Sequence, residues 1–79
     1  MYQILHKDRH GDIHALPTIY ENHYEADHKI KEYASHQQNL GATEVKHLKG
    51  ISTAYFDDGS QAEYWRDREE VLQINLPIF

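Results

Sequence analysis

The chain begins with two short apolar segments separated by turn residues. MYQILHK is largely apolar, DRHGD has turn chemistry with Gly11 available for a positive φ, and IHALPTIY alternates between apolar and polar positions. This pattern predicts a β-hairpin over residues 1–20. Because Pro17 has no amide hydrogen to donate to a neighbouring strand, the second strand is expected to lie at a sheet edge or to end early.

The clearest helical pattern covers residues 23–40. Asn22 and Glu25 have the spacing of a capping box, in which side chains satisfy the free backbone donors at a helix start. Leu40 closes an apolar stripe, and Gly41 is placed for a left-handed C-terminal cap. The small alanines of the stripe predict close packing on a sheet. The stripe consists of Ala26, Ile30, Tyr33, Ala34 and Gln37.

Three further segments are rich in β-branched and aromatic residues, which favours strands over residues 43–48, 51–56 and 60–66. One side of this meander is expected to pack on the helix, while the other faces solvent or a partner. Asp67 and Glu70 then repeat the capping-box spacing, which predicts a short helix or turn.

The element order predicts a single α+β domain spanning residues 1–79. Its architecture is ββ-α-βββ, with a single helix packed on a mostly antiparallel sheet of four to five strands. No apolar segment approaches the roughly 20 residues of a membrane-spanning helix, and the first residues lack the features of a secretory signal. A cytoplasmic protein without membrane contact is therefore expected.

Composition narrows the possible chemistry. The 79 residues include no cysteine, which excludes disulfides, thiolate metal sites and cysteine nucleophiles. The serines lack a G-x-S-x-G setting. His10 and His14 are four residues apart, but the predicted hairpin places them outside a helix, so the helical geometry of a zinc clamp is missing. Glu63 and His47 could meet across strands as an acid–base pair. Taken together, these features predict no metal, no cofactor and no enzymatic activity.

The formal net charge is −5, and residues 57–79 alone carry −4. An acidic protein repels phosphate backbones, so direct nucleic-acid binding is disfavoured. The acidic surface favours a basic protein partner. Such a partner could be a nucleic-acid-binding protein or complex whose basic groove the acidic surface would fill. The alternative is an acidic surface that provides solubility only.

The adjacent acids Asp57 and Asp58 precede Gly59 between two aromatic strands, which is a strong hairpin pattern. The acids at alternate positions that a calcium loop requires are missing, so a turn is predicted instead of a metal site. Because Tyr64 and Trp65 are adjacent in a strand, one of them points into the core. The candidate partner-binding residues are Tyr55, Asp57, Asp58, Glu63, Tyr64, Trp65, Arg66, Glu69 and Glu70.

The C-terminal residues are more apolar than an exposed terminus should be. This tail either docks on its own sheet as an edge strand or is buried in a second copy, which would give a homodimer. Pro77 favours a sheet edge. The apolar positions of the tail are Ile74, Leu76, Ile78 and Phe79.

A hairpin and a helix followed by TEVKHLKGISTAYFDDGSQAEYW resemble the architecture of small proteins encoded by phages and mobile elements. Among these, the chain resembles certain anti-CRISPR proteins that block type I surveillance complexes. The resemblance is architectural and covers roughly residues 2–66. It implies a non-enzymatic inhibitor that occupies a nucleic-acid-binding surface on a protein complex in the host cytoplasm. The alternative is a small self-associating structural or assembly protein.

Overall fold

The computed structural model describes residues 1–68, which form one helix and one five-stranded sheet. The elements follow the predicted order of hairpin, helix and meander. In chain order they are β1 (Tyr2–Lys7), β2 (Ile13–Tyr20), α1 (His23–His36), a 3₁₀ turn (Gln37–Leu40), β3 (Glu44–Leu48), β4 (Ile51–Tyr55) and β5 (Gln61–Arg68).

The sheet is open and antiparallel, with the strand order β2-β1-β5-β4-β3. Strand β5 is central and joins the N-terminal hairpin to the β3–β4 hairpin. Strand β2, which contains Pro17, lies at an edge as predicted. An irregularity in the β1–β2 register lies between Gln3 and Leu5, where the Gln3 side-chain Nε2 donates to the Leu16 carbonyl at 3.1 Å. The α+β prediction is therefore confirmed.

The start of α1 is fixed by the predicted capping box. The Glu25 amide donates to Asn22 Oδ1 at 3.0 Å, and Asn22 Nδ2 donates to Glu25 Oε1 at 3.1 Å. The Asn22 side chain occupies one backbone donor, the Glu25 amide, that has no partner within the helix, while the return bond of Glu25 goes to the Asn22 side chain and not to its backbone amide. None of the helical segments among residues 1–68 is long and apolar enough to cross a membrane.

The helix packs on one face of the sheet through small and aliphatic residues. Ala26, Ile30 and Ala34 are buried, and the alanines let the helix backbone approach the strands closely. Leu40, predicted to close this stripe, is instead 59% exposed. The reason is that the last turn is 3₁₀, whose tighter winding rotates its residues away from the α-helical stripe.

The core lies between the helix and the sheet and contains two adjoining clusters. One joins Ile4 on β1 and Tyr64 on β5 to the helix, and the other lies at the far end of β4 and β5. Val45 packs against both. The second cluster consists of Ala54, Phe56 and Ala62.

The end of β5 differs from the prediction of a new helix or turn at Asp67. The strand continues to Arg68 because Asp67 pairs with Gln3 and Arg68 pairs with Tyr2. A capping-box spacing is a local signal, and here a neighbouring strand supplies backbone partners that favour the extended conformation. Glu70, the other half of the predicted capping box, lies outside the described residues.

Candidate protein-binding face

The sheet face opposite the helix, called here the open face, carries an apolar row that crosses all five strands. Residues paired directly across antiparallel strands point to the same side, so the register defines the row. Leu5 pairs with both Ala15 and Trp65, and Ile51 pairs with both Trp65 and Leu48. The row is therefore Ala15, Leu5, Trp65, Ile51 and Leu48.

Several side chains of the open face are well exposed. Leu48 is 72% exposed and Ile51 is 41% exposed, while Trp65 and Leu5 are partly buried against their neighbours. Ile13 and Ile19, which pair with Lys7 and Gln3, extend the apolar area at the β2 edge. Of the eight large hydrophobic side chains that are exposed within residues 1–68, four lie on this face. This concentration distinguishes the face from the rest of the described surface.

Polar residues flank the apolar row. On one side Lys7 pairs with Glu63, Glu63 with Thr53, and Thr53 with Lys46. Lys46 Nζ also lies 5.5 Å from the centre of the Tyr55 ring. The strand residues of this face include two lysines and three carboxylates, a net of −1, although the whole chain carries −5. These charged residues are Lys7, Lys46, Glu44, Glu63 and Asp67.

The structure divides the predicted partner-binding residues between two sides of the sheet. Tyr55, Glu63 and Trp65 lie on the open face, because they pair with other residues of that face. Tyr64 and Arg66 alternate with them and point to the helix. The predicted patch is therefore not continuous.

Tyr64 is the inward member of the Tyr64–Trp65 pair. Its ring stacks between His6 and Tyr33, with ring centres 4.2 and 5.7 Å away, and its hydroxyl accepts from Gln37 Nε2 at 2.7 Å. The side chain is buried, and this burial raises the pKa of the Tyr64 phenol. Tyr64 is thus a core residue that is unavailable for surface contact.

Arg66 joins the sheet to the helix. Its Nε donates to Asp27 Oδ1 at 2.6 Å, and its guanidinium lies 5.7 Å from the centre of the Tyr2 ring. Both charged side chains of this ion pair are about three-quarters buried. A charge-assisted bond in that environment holds α1 in register with β5.

Asp57 and Asp58 form the predicted turn between β4 and β5. The Gly59 amide donates to the Phe56 carbonyl at 3.0 Å, and Gly59 has the positive φ of 88° that this turn needs. Asp58 accepts from the Ser60 hydroxyl, the Ser60 amide and Arg9 Nη2. Those bonds, led by the one from the Ser60 hydroxyl, lower the pKa of Asp58 to about 2.

Glu69 and Glu70, together with the predicted tail contacts of Ile74, Leu76, Ile78 and Phe79, lie outside the described residues 1–68. Within the described part, no cluster of three or more histidine or acidic side chains has the geometry to hold a metal ion.

The proposed acid–base partners do not meet. Glu63 lies on the open face, whereas His47 pairs with Ser52 on the helix side. His47 Nδ1 lies 2.7 Å from Ser52 Oγ beside a cleft of about 280 Å³, but Ser52 is only 1% exposed. A hydroxyl sealed to this degree cannot reach a substrate, so the His47–Ser52 bond is a structural link between β3 and β4.

Histidines elsewhere make local contacts. His14 Nε2 lies 2.8 Å from Asp8 Oδ2, and this contact is the main cause that lowers the pKa of Asp8 to about 2. Asp8 also accepts from the amides of His10 and Asp12. The cluster closes the β1–β2 turn.

Leu5, Ile13, Leu48 and Ile51 were missing from the sequence-based candidates. Their signal was the alternation within each strand, visible for Ile51 in the ISTAYF segment. Alternation does not say which strands are neighbours, and the row exists only because β5 lies between β1 and β4. The chain matches no protein-family model, no curated protein and no solved structure.

Proposed function

We propose that this chain is a non-enzymatic protein-binding module and that the open face is its contact surface. The observation that supports the proposal is the apolar row crossing all five strands. An antiparallel sheet with one solvated face normally presents polar side chains on that face. Here Leu48, Ile51 and Ile13 project from it with large exposed fractions.

The composition of the face fits a binding surface. Trp65 lies on the central strand, and tryptophan is among the residue types most enriched at energetically dominant positions of interfaces. Charged and polar side chains such as Lys7, Glu63 and Lys46 border the row, in the arrangement of an apolar centre with a polar rim. The matching partner surface is flat, apolar and close to neutral.

Binding through this face is tested by substituting one exposed leucine on the face and one away from it. Leu48→Glu places a charge in the row, whereas Leu40→Glu changes an exposed leucine of the 3₁₀ turn. The tagged full-length variants are compared as baits, with bound proteins quantified by mass spectrometry and self-binding measured with two differently tagged copies. We expect Leu48→Glu to lose the binding that wild type and Leu40→Glu retain.

The proposal is wrong if every protein bound by the wild-type chain, including a second copy, is bound equally by the Leu48→Glu variant. Circular dichroism of both variants provides the folding control. If the Leu48→Glu variant is folded but does not bind, the loss of binding is due to the changed face and not to unfolding.

A second candidate function uses the acidic residues, as the anti-CRISPR resemblance implies. The open face has a net charge of −1 while the chain has −5, so most of the net negative charge is carried by residues outside this face. We propose as this second candidate an inhibitor, acting in the host cytoplasm, that covers the basic surface of a nucleic-acid-binding protein or complex. Long-range attraction between opposite charges would then speed the encounter of the two proteins.

The two candidates respond differently to charge reversal. Asp57, Glu69 and Glu70 are reversed to lysine, and Asp58 is kept because it holds the β4–β5 turn. We expect the inhibitor to lose its partner on this reversal and to keep it on Leu48→Glu. Retention of the partner after reversal would exclude the acidic mode of binding.

A further inference from the structure

We propose that the cleft between α1 and the β3–β4 turn binds a small phosphate-bearing molecule. The cleft has a volume of about 280 Å³ and lies between the helix and the sheet. Its helix wall consists of Asp27, Ile30 and Lys31, and its sheet wall is the segment 47–52. This inference goes beyond the proposed function and does not depend on it.

Two lysines without partners border the cleft. Lys31 belongs to the helix wall, and Lys49 belongs to the β3–β4 turn. Within residues 1–68, the side chain of neither lysine forms an ion pair or a hydrogen bond. Two uncompensated ammonium groups at one cleft attract an anion.

The one carboxylate among the described residues that line the cleft is already neutralised. Asp27 Oδ1 accepts from Arg66 Nε at 2.6 Å. The Arg66 guanidinium also lies against the turn, because a Cβ on Gly50 would be only 3.1 Å from its Nε and Nη2. Three cations and one carboxylate therefore surround the cleft, a net of +2 with His47 neutral, although the whole chain carries −5.

His47 adds a third polar group to the cleft, from the sheet. Its Nδ1 lies 2.7 Å from Ser52 Oγ, and this bond to a buried hydroxyl fixes the ring. The other ring nitrogen, Nε2, has no hydrogen-bond partner within residues 1–68. When the Ser52 hydroxyl donates to Nδ1, Nε2 carries the hydrogen and can donate to an oxygen of a bound anion.

The kind of cation at the cleft favours phosphate over a carboxylate. Arginine binds carboxylates with its planar fork, but the Nε of Arg66 is committed to Asp27. The free cations are lysines, which act as point charges and bind phosphate in that way. The volume of the cleft is close to the lower limit of about 300 Å³ for ligand sites, so there is room for a small organic group beside the phosphate.

The charge distribution favours a small ligand over a nucleic acid. A local charge acts over about one Debye length, roughly 8 Å at physiological ionic strength. A small ligand in the cleft lies within that range of the net +2. A nucleic-acid strand would extend beyond it over a chain of net −5, which repels phosphate backbones.

The test is an NMR titration of the ¹⁵N-labelled full-length protein with inorganic phosphate and, separately, with phenyl phosphate. Sodium chloride keeps the ionic strength constant, and the pH is fixed. Because Lys31 and Lys49 are exposed and screened by solvent, we expect a dissociation constant on the order of millimolar. The amide chemical shifts should change most in residues 27–31 and 47–52.

Substitution of the lysines locates the site. Lys31→Gln and Lys49→Gln should each raise the dissociation constant about 3- to 10-fold, and the double variant should lose saturable binding. Lys46→Gln is the matched control, because it removes the same charge from the open face of β3. It should leave the dissociation constant unchanged. Circular dichroism checks that each variant is folded, as expected for exposed side chains.

Saturable shifts that both cleft variants weaken and Lys46→Gln does not would support the site. Tighter binding of phenyl phosphate would identify a phosphate monoester as the ligand, and equal binding would identify free phosphate. The proposal is overturned if no shift saturates, if Lys46→Gln weakens binding as much as the cleft variants do, or if acetate binds as tightly as phosphate. A short single-stranded oligonucleotide that binds more tightly than phenyl phosphate also overturns it. A failed titration leaves the open face standing, because that face is tested by protein binding.

Discussion

At the scale of single residues, the two adjacent aspartates of the β4–β5 turn have different roles. The Asp58 carboxylate accepts from the Ser60 amide at 2.9 Å, the Ser60 hydroxyl at 2.6 Å and Arg9 Nη2 at 2.8 Å. The Arg9 guanidinium also lies 3.8 Å from the centre of the Phe56 ring. Asp58 therefore ties the β1–β2 turn to the β4–β5 turn, although both aspartates are exposed.

The pKa of Asp58 tests this role. Ser60→Ala removes the largest cause of the lowered pKa, so we expect the pKa of Asp58 to rise from about 2 toward its ordinary value of 3.8. Carboxyl chemical shifts followed by NMR during a pH titration measure it. In wild type, the folded-state pKa lies below that of the unfolded chain. The stabilisation is therefore fully present above about pH 5 and is lost as the pH falls through about 2. An unchanged pKa in Ser60→Ala would contradict the assignment.

At the scale of elements, α1 is positioned by three devices that act at different points. The Asn22 cap fixes its start, the alanines permit close packing, and the Arg66–Asp27 ion pair connects it to the central strand. A helix of 14 residues is marginal in isolation, so packing on the sheet provides much of its stability.

Removing the Asn22 cap should lower the stability of the folded chain. Asn22→Ala leaves the Glu25 amide without its side-chain acceptor and should lower the free energy of unfolding by about 1 kcal/mol. Urea denaturation followed by circular dichroism measures the change. Asn22→Ser is the matched control, because serine also caps helices and should retain most of the stability. An alanine variant as stable as wild type would show that the cap contributes nothing.

The features that sequence reasoning predicted correctly are those encoded by neighbouring residues. The Asn22 cap, the helix start and the Gly59 turn each depend on a few adjacent positions. The open face could not be assembled in this way, because Leu5 and Trp65 are sixty positions apart in the chain. The continuation of β5 through Asp67 was missed for the same reason, since its partner Gln3 comes from the other end of the described chain.

At the scale of the whole molecule, the described fold has only one covered sheet face. Small proteins bury a low fraction of their surface and are correspondingly marginal in stability. The helix covers one face, and the row from Ala15 to Leu48 remains on the other. A partner protein packed on that row would add apolar burial that the described part of the chain lacks.

The position of β5 has a consequence for the order of folding. It is the last strand to leave the ribosome among the five, yet both hairpins depend on it for their only connection within the sheet. Until it emerges, the N-terminal hairpin and the β3–β4 hairpin are separate ribbons, and isolated hairpins are marginal in water. Their apolar surfaces stay accessible during synthesis, so we expect a chain stalled before residue 61 to be bound by chaperones and cut by proteases more readily than a chain that includes β5. The final described strand is therefore the one whose synthesis completes the described sheet.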